Sequence, residues 1–349
     1  MPNDPTARME AWDDRPARGA ARMRDVAREA QVSAMTVSRA LRDPTKVSPE
    51  VRQRVADAVK AVGYLPNRLA GSLSSSRSNM IGLIVPSIEN SLFASTIRGI
   101  SDVLRRHDYQ LMIADSGYSL ESEQAAIRAF LAQRVAGLIL HDTTHMADAL
   151  AMIRRAGVPV VENGTLTSTP VDMVVSYSNV DAAMAMTQHL ARLGYRRIGF
   201  VSLPSATNER SRDRRRGYLA ALEAAGLPVD PRLMLEMPPG LASGAEALVR
   251  LVEGGADADA IFFAGDVLAI GAALECQRRG WAVPGRVAIA AFDNIDLLGH
   301  LVPPVTTLRL PRLEIGRRSA EVLLDRIQGR STGPLSIDLR FEIIHRAST

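Results

Sequence analysis

Between residues 23 and 64 apolar positions recur at helical spacing in three short segments, 24–30, 34–42 and 49–62, which predicts three helices. Ser33 and Ser48 stand where N-cap hydroxyls are wanted, and Pro49 takes a first helical position, where its missing N–H is not needed. Beyond residue 79 the pattern changes. Apolar runs at 81–85, 110–114, 136–140, 158–162, 173–176, 197–202, 260–263 and 287–292 read as strands, with helical stretches such as 94–106 and 122–133 between them and a last strand-like run at 335–344. This alternation predicts an α/β fold with parallel sheets covered by helices on both faces. Some 270 residues are long for one sheet, so two similar lobes sharing a cleft are expected, lobe 1 from about 80–176 and 309–340 and lobe 2 from about 177–308.

Composition sharpens this division. With 349 residues, 46% of them hydrophobic, the chain has room for several packed cores. Residues 1–20 lack apolar periodicity and are expected to form a disordered tail. Cys276 is the single cysteine, no signal-peptide pattern opens the chain, and no apolar run reaches the roughly 18 residues of a membrane span. A cytoplasmic address away from the membrane is the expectation. The net charge of +4 is unevenly placed: residues 20–79 carry 11 Lys+Arg against 5 Asp+Glu, whereas residues 80–349 carry 28 against 29. The basic excess belongs to the small helical segment, where it can meet phosphates.

The segment 24–41 has the mechanics of a helix-turn-helix. Ala27 is small enough for helices to cross closely, Val32 and Val37 can bury in the corner, and Ser33 can cap a second helix that offers Ala34, Met35, Ser38 and Arg39, with Thr36, to a major groove. Arg39 suits a bidentate contact to guanine, and Ala34 and Met35 suit a thymine methyl.

The ordered motifs Asp25-Val-Ala, Val32-Ser, Thr36-Val-Ser-Arg39, Val47-Ser-Pro, Gly63-Tyr-Leu-Pro-Asn-Arg68 and Ile81-Gly-Leu-Ile resemble the lactose/galactose repressor (LacI type) family, over essentially residues 22–346. The run from Met35 to Pro44, Gly137-Leu-Ile-Leu140 with Thr144-His145, and the run from Gly271 to Gly280 are most similar to the gluconate-operon repressors of that family. The resemblance implies a headpiece at 21–65, a hinge helix or linker at 66–79, and a two-lobed, periplasmic-binding-protein-like domain of two doubly wound parallel sheets at 80–349 for effector binding and dimerisation. It also implies that Asn67, Arg68 and Leu73 of the hinge meet DNA, Leu73 as an apolar wedge in the minor groove. Two departures stand out: Gln31 occupies the turn where the family has Gly, and Arg22 replaces the hydroxyl cap before the first helix.

In an open α/β sheet ligands sit at the carboxyl ends of the strands, which selects Asn90, Phe93 and Tyr118 among others. The same rule selects Glu162, 208–212, Asp266 and Asp293, and by the resemblance Glu162, one of Arg210 or Arg212, Asp266 and Asp293 fall where the family holds its ligand, while Gly265 stands where an Asn is common. Five arginines in 210–216 favour an acidic sugar over a neutral one, since a guanidinium fork is the natural partner of a carboxylate. Capping of helices is the structural alternative for Asp266 and Asp293. His141 and His145 straddle a strand end without a third ligand, so no metal and no cofactor are expected. No nucleotide-binding, nucleophile-elbow or zinc-helix motif is present, so the chain is not expected to be an enzyme. The function expected is that of a homodimeric regulator on palindromic operator DNA, repressing sugar-acid catabolism genes until a gluconate-type effector releases it. A neutral-sugar effector, or one acting as corepressor, is the alternative, and a sugar-binding protein without a DNA role the distant one.

Overall fold

The computed structural model describes residues 21–64, 78–88, 90 and 92–349. The expectations for the tail at 1–20, and for the hinge with Asn67, Arg68 and Leu73, lie outside the described residues. The chain divides into two units, Met1–Ser78 and Asn79–Thr349.

In the first unit, helices α1 (Met23–Glu29), α2 (Ala34–Arg42) and α3 (Pro49–Val62) enclose a small core of Val26, Ala27, Ala30, Val37, Ala40, Val55, Ala58 and Tyr64. Ser33 Oγ accepts from the Thr36 amide at 3.0 Å, and Ser48 Oγ accepts from that of Val51 at 3.4 Å. The polar N-cap supplies an acceptor that the first turn lacks. The Arg22 side chain has no acceptor to offer α1; its carbonyl accepts from the Asp25 amide at 2.8 Å, and its own amide donates to the Asp25 carboxylate at 2.9 Å, one half of a capping box.

The second unit holds two six-stranded sheets. Strands β1 (Met80–Val85), β2 (Gln110–Asp115), β3 (Gly137–His141), β4 (Val160–Asn163), β5 (Met173–Ser176) and β11 (Leu335–Asp338) form the first, in the order β11-β5-β4-β3-β1-β2, with every pairing parallel. Strands β6 (Ile198–Ser202), β7 (Met234–Glu236), β8 (Ala260–Phe263), β9 (Ala288–Phe292), β10 (Thr306–Arg309) and β12 (Glu342–Ile344) form the second, in the order β12-β10-β9-β8-β6-β7, parallel except for β12.

Both sheets are covered on both faces, which is why their central strands read as continuous apolar runs. In the first, Ile81, Leu83 and Val85 face helices α4 (Leu92–Arg106) and α12 (Arg312–Ile327), while Ile84 faces α5 (Leu120–Ala132) and α6 (Ala147–Ala156). In the second, Phe200, Phe262 and Phe292 face α7 (Asn179–Arg192) and α8 (Glu209–Ala224), while Val201, Ile261 and Phe263 face α9 (Leu241–Glu253) and α10 (Asp266–Arg279). A short α11 (Asp296–His300) follows β9.

The final stretch 335–344 departs from its expectation as a single strand. It is two, because Arg340 between them adopts φ +58 and turns the chain out of the first sheet and into the second. β7 and β10 were not expected. β7 has three residues and β10 is half threonine, so neither makes an apolar run.

Candidate functional site

On the headpiece, α2 buries Val37 and Ala40 and leaves Ala34, Met35 and Arg39 exposed, Met35 at 70%. Ser38 and Thr36 are half-buried, and the Thr36 hydroxyl is tied to Ser33 at 2.8 Å. Arg39 has no ion-pair partner among the described residues, whereas Arg28 pairs with Asp25 and Lys46 with Asp43. A methionine and an unpaired arginine on the exposed face of the second helix can meet both apolar and polar edges of base pairs. Gln31 sits in the turn at φ +52, the left-handed conformation that glycine adopts freely and that costs other residues about 1–2 kcal/mol.

In the second unit the strand orders reverse between β1 and β3 and between β6 and β8, and both reversal points open toward one cavity. Asn90, Phe93 and Tyr118 of the first lobe line it, as do Asn208, Arg210, Arg214, Asp266 and Asp293 of the second and Arg312 at the start of α12. Its cavity volume is about 60 Å³, well below the usual range for a small-molecule site, so the lobes have to part to take a ligand of sugar size.

Helix α8 selects which arginines enter. Its lower turns pack through Gly217, Tyr218, Ala221 and Leu222, and a Cβ on Gly217 would lie 2.1 Å from the Val180 carbonyl of α7. Steps of three and four residues back along that stripe reach Arg214, Ser211 and Arg210, all buried. Arg212, off the stripe, is exposed, donates to the Ser205 carbonyl at 2.9 Å and lines a neighbouring cavity instead.

Arg214 lies 3.6 Å over the Phe292 ring and donates to Asn179 Oδ1 at 2.9 Å and to the Ala264 carbonyl at 2.8 Å. It is 8% exposed and forms no ion pair among the described residues. Burial lowers its pKa, Tyr177 and the charge of Asp293 partly offset this, and Arg210 and Arg312 add to the lowering, yet a guanidinium stays charged at neutral pH. Arg312 pairs with Asp293 through a 2.6 Å bond from Nε. Burial opposes its charge, but Asp293 and Tyr177 outweigh that and raise its pKa.

Asp266 opens α10 at the wall of the same cavity, 2% exposed, with Oδ1 accepting from the Val267 amide at 2.8 Å and Oδ2 without any partner. Burial, then the charge of Asp293, pushes its carboxyl up to about 6. Asp293 takes φ +72, and Tyr118 φ +62, so two wall residues hold left-handed backbone.

Arg210 reaches across to the first lobe, where its Nε lies 3.2 Å from Asp142 and its Nη1 donates to His141 Nε2. His141 Nδ1 in turn lies 2.6 Å from Asn163 Oδ1. Burial and the nearby arginines hold the pKa of His141 well below its ordinary value, so the ring is neutral, Nδ1 donating and Nε2 accepting. Glu209 beside it accepts from the Thr143 amide at 2.7 Å and from the Thr144 hydroxyl, a second tie between lobes.

Glu162 lines none of these cavities. It is 1% exposed, accepts from the Val171 amide at 2.6 Å and binds His145 Nε2 at 3.2 Å; His145 Nδ1 meets Glu123 at 2.7 Å. Burial alone would lower the pKa of His145, but the two carboxylates raise it to about 10, so the ring is an imidazolium. Period-two alternation carries the missed signal: Glu162 shares a sheet face with Val160, which packs toward α5 and α6. Sequence reasoning also passed over Arg214 and Arg312. For Arg214 the signal was its spacing from Gly217-Tyr218; for Arg312 none stood in the chain. Cys276 is buried, which raises its thiol to about 11.

The family described as bacterial regulatory proteins, lacI family, matches residues 22–67, and that described as periplasmic binding proteins and sugar binding domain of LacI family matches residues 78–345. The HTH-type transcriptional regulator GntR of Escherichia coli (strain K12) is 39% identical over 321 residues, covering 92% of this chain and 96% of that protein. A LacI family transcriptional regulator from Silicibacter pomeroyi has a similar solved structure, with a TM-score of 0.87 at 33% identity over 94% of this chain and 99% of that one. The transcription regulator GntR from Chromobacterium violaceum aligns with a TM-score of 0.73 at 34% identity over 77% of this chain and 98% of its own. An exposed second helix whose Arg39 has no ion pair among the described residues, and a lined cavity between two largely parallel-sheet lobes, are therefore parts of a DNA-binding transcriptional repressor, and the chain belongs to the LacI family.

Proposed function

We propose that this repressor responds to a gluconate-type sugar acid bound between the two lobes, with the acid group at Arg214 and hydroxyls toward Asp266. One observation carries the reading: among the described residues, the cavity wall holds a buried arginine with no ion-pair partner and a buried carboxylate oxygen with no hydrogen-bond donor. Each costs free energy until a ligand supplies the missing group, and a hydroxy acid supplies both. Similarity to GntR regulators from two organisms points the same way. As a homodimer, the protein reads a palindrome with Ala34, Met35, Thr36, Ser38 and Arg39 of each α2 and with the hinge residues Asn67, Arg68 and Leu73. Effector binding shifts the lobes toward a form that no longer holds the paired hinges, and the operator is released.

Titration calorimetry with gluconate and with glucose, which share a carbon skeleton and differ in charge, tests the ligand class. Gluconate is expected to bind and glucose not to. Binding of neutral sugars without any of aldonic or ketoaldonic acids refutes the reading, and a gel shift on operator DNA showing no response to bound gluconate refutes the coupling.

A further inference from the structure

Three guanidinium groups line the cavity in three electrostatic states. Arg312 is cancelled by Asp293 within the wall. Arg214 has no ion-pair partner among the described residues and feels Asp293 only as a more distant charge. Arg210 is cancelled from behind: Asp142, 3.2 Å from its Nε, is absent from this wall and faces the neighbouring cavity with Ser119, Glu121 and Thr144. The other groups around Asp142 are already committed, Glu209 to Thr143 and Thr144, and His145 to Glu123 and Glu162. His141 is a neutral acceptor for Arg210. Arg210 is therefore the counter-ion of Asp142, and Asp142 governs how much positive charge Arg210 shows the ligand.

We propose that Asp142 is a specificity-determining residue outside the cavity wall, which neutralises Arg210 so that an acid with one negative charge is selected over a doubly charged one. The inference rests on the sugar-acid reading above. One carboxylate satisfies Arg214; a second charge on the ligand finds Arg210 and Arg312 already neutralised and meets the carboxylate of Asp266 in the same wall. An unscreened Arg210 attracts a dianion about twice as strongly as a monoanion, because the Coulomb term is linear in ligand charge. At an effective dielectric near 20 and a separation under about 10 Å, one added charge changes affinity on the order of tenfold per ligand charge.

The test is calorimetry on the full chain at one pH and salt concentration, with gluconate as the monoanion and glucarate and 6-phosphogluconate as the multiply charged probes. Asp142 has φ +85, which Asn tolerates, so D142N is the conservative change. Wild type is expected to favour gluconate. D142N should shift the ratio by about tenfold toward glucarate and by more toward 6-phosphogluconate, R210Q should shift it the other way, and D142N combined with R210Q should return it near wild type. If D142N does not fold, the opposite shift in R210Q and the recovery in the double variant carry the test. A ratio unmoved by more than about twofold, with gluconate still bound, overturns the inference alone. Wild type binding no sugar acid at all overturns the ligand class and the inference with it.

Discussion

His145 gives the effector domain a pH-dependent store of stability that can be measured without any ligand. Its imidazolium is clamped between Glu123 at 2.7 Å and Glu162 at 3.2 Å, with both carboxylates and the ring almost fully buried. The clamp joins α5, the loop after β3 and β4, and so anchors the segment that presents Asp142, Thr143 and Thr144 to α8. Folding raises the pKa of the ring from 6.5 to about 10. The unfolded chain thus releases this proton first as pH rises, so the contribution is complete below 6.5 and disappears as pH passes through 10. Each pH unit in that window removes up to about 1.4 kcal/mol, and the rise from pH 6.5 to 9 removes about 3 kcal/mol from this group. Urea unfolding followed by circular dichroism at half-unit steps of pH is the assay. The reference is the combined Glu123→Gln, His145→Gln, Glu162→Gln variant, which keeps acceptors for the Val171 amide and removes every titrating group from the clamp. The gap between wild type and reference should shrink by about 3 kcal/mol between pH 6.5 and 9. A gap constant to within about 0.5 kcal/mol would show that the ring is not held as a cation.

Arg214→Gln should weaken gluconate binding by about 100-fold in calorimetry, the loss of a buried charge-assisted contact worth about 3 kcal/mol. The same substitution should also lower stability by about 1–3 kcal/mol, since it leaves Asn179 Oδ1 and the Ala264 carbonyl buried without their donor. Arg39→Ala should cost about 1–3 kcal/mol on operator DNA and far less on random duplex at the same salt concentration, read by competition gel shift; equal losses on both would make Arg39 a phosphate contact. Gly217→Ala places a methyl 2.1 Å from the Val180 carbonyl, so α7 and α8 must part. A loss of about 1–3 kcal/mol in denaturant unfolding is expected, with weaker effector binding because Arg210 and Arg214 ride on the same helix; an unchanged midpoint would refute the close packing.

The three headpiece helices and most of the strands were legible along the chain, because caps, apolar period and the jump from period 3.6 to buried runs are local properties. Boundaries moved by a residue or two, as at α1, which begins at Met23. The strand-end rule likewise brought Asn90, Phe93, Tyr118, Asp266 and Asp293 to one cavity, since it depends on topology that alternation already implies. Legibility stopped where a residue's role depends on what another element places beside it. Five arginines in seven positions look alike in sequence; only the crossing of α8 over α7 at Gly217 buries Arg210 and Arg214 and leaves Arg212 outside. Glu162 near the end of β4 and Asp266 just after β8 look alike as strand-end carboxylates, yet one is bound by a histidine 17 residues away in sequence and the other keeps an oxygen with no hydrogen-bond partner among the described residues. Arg312, almost 20 residues beyond Asp293, became its counter-ion because the chain returns to the first lobe at that point. Local pattern thus determined the elements and the kind of fold, while charge pairing was decided in three dimensions. Coulomb interactions depend on distances and burial that only the packed lobes create.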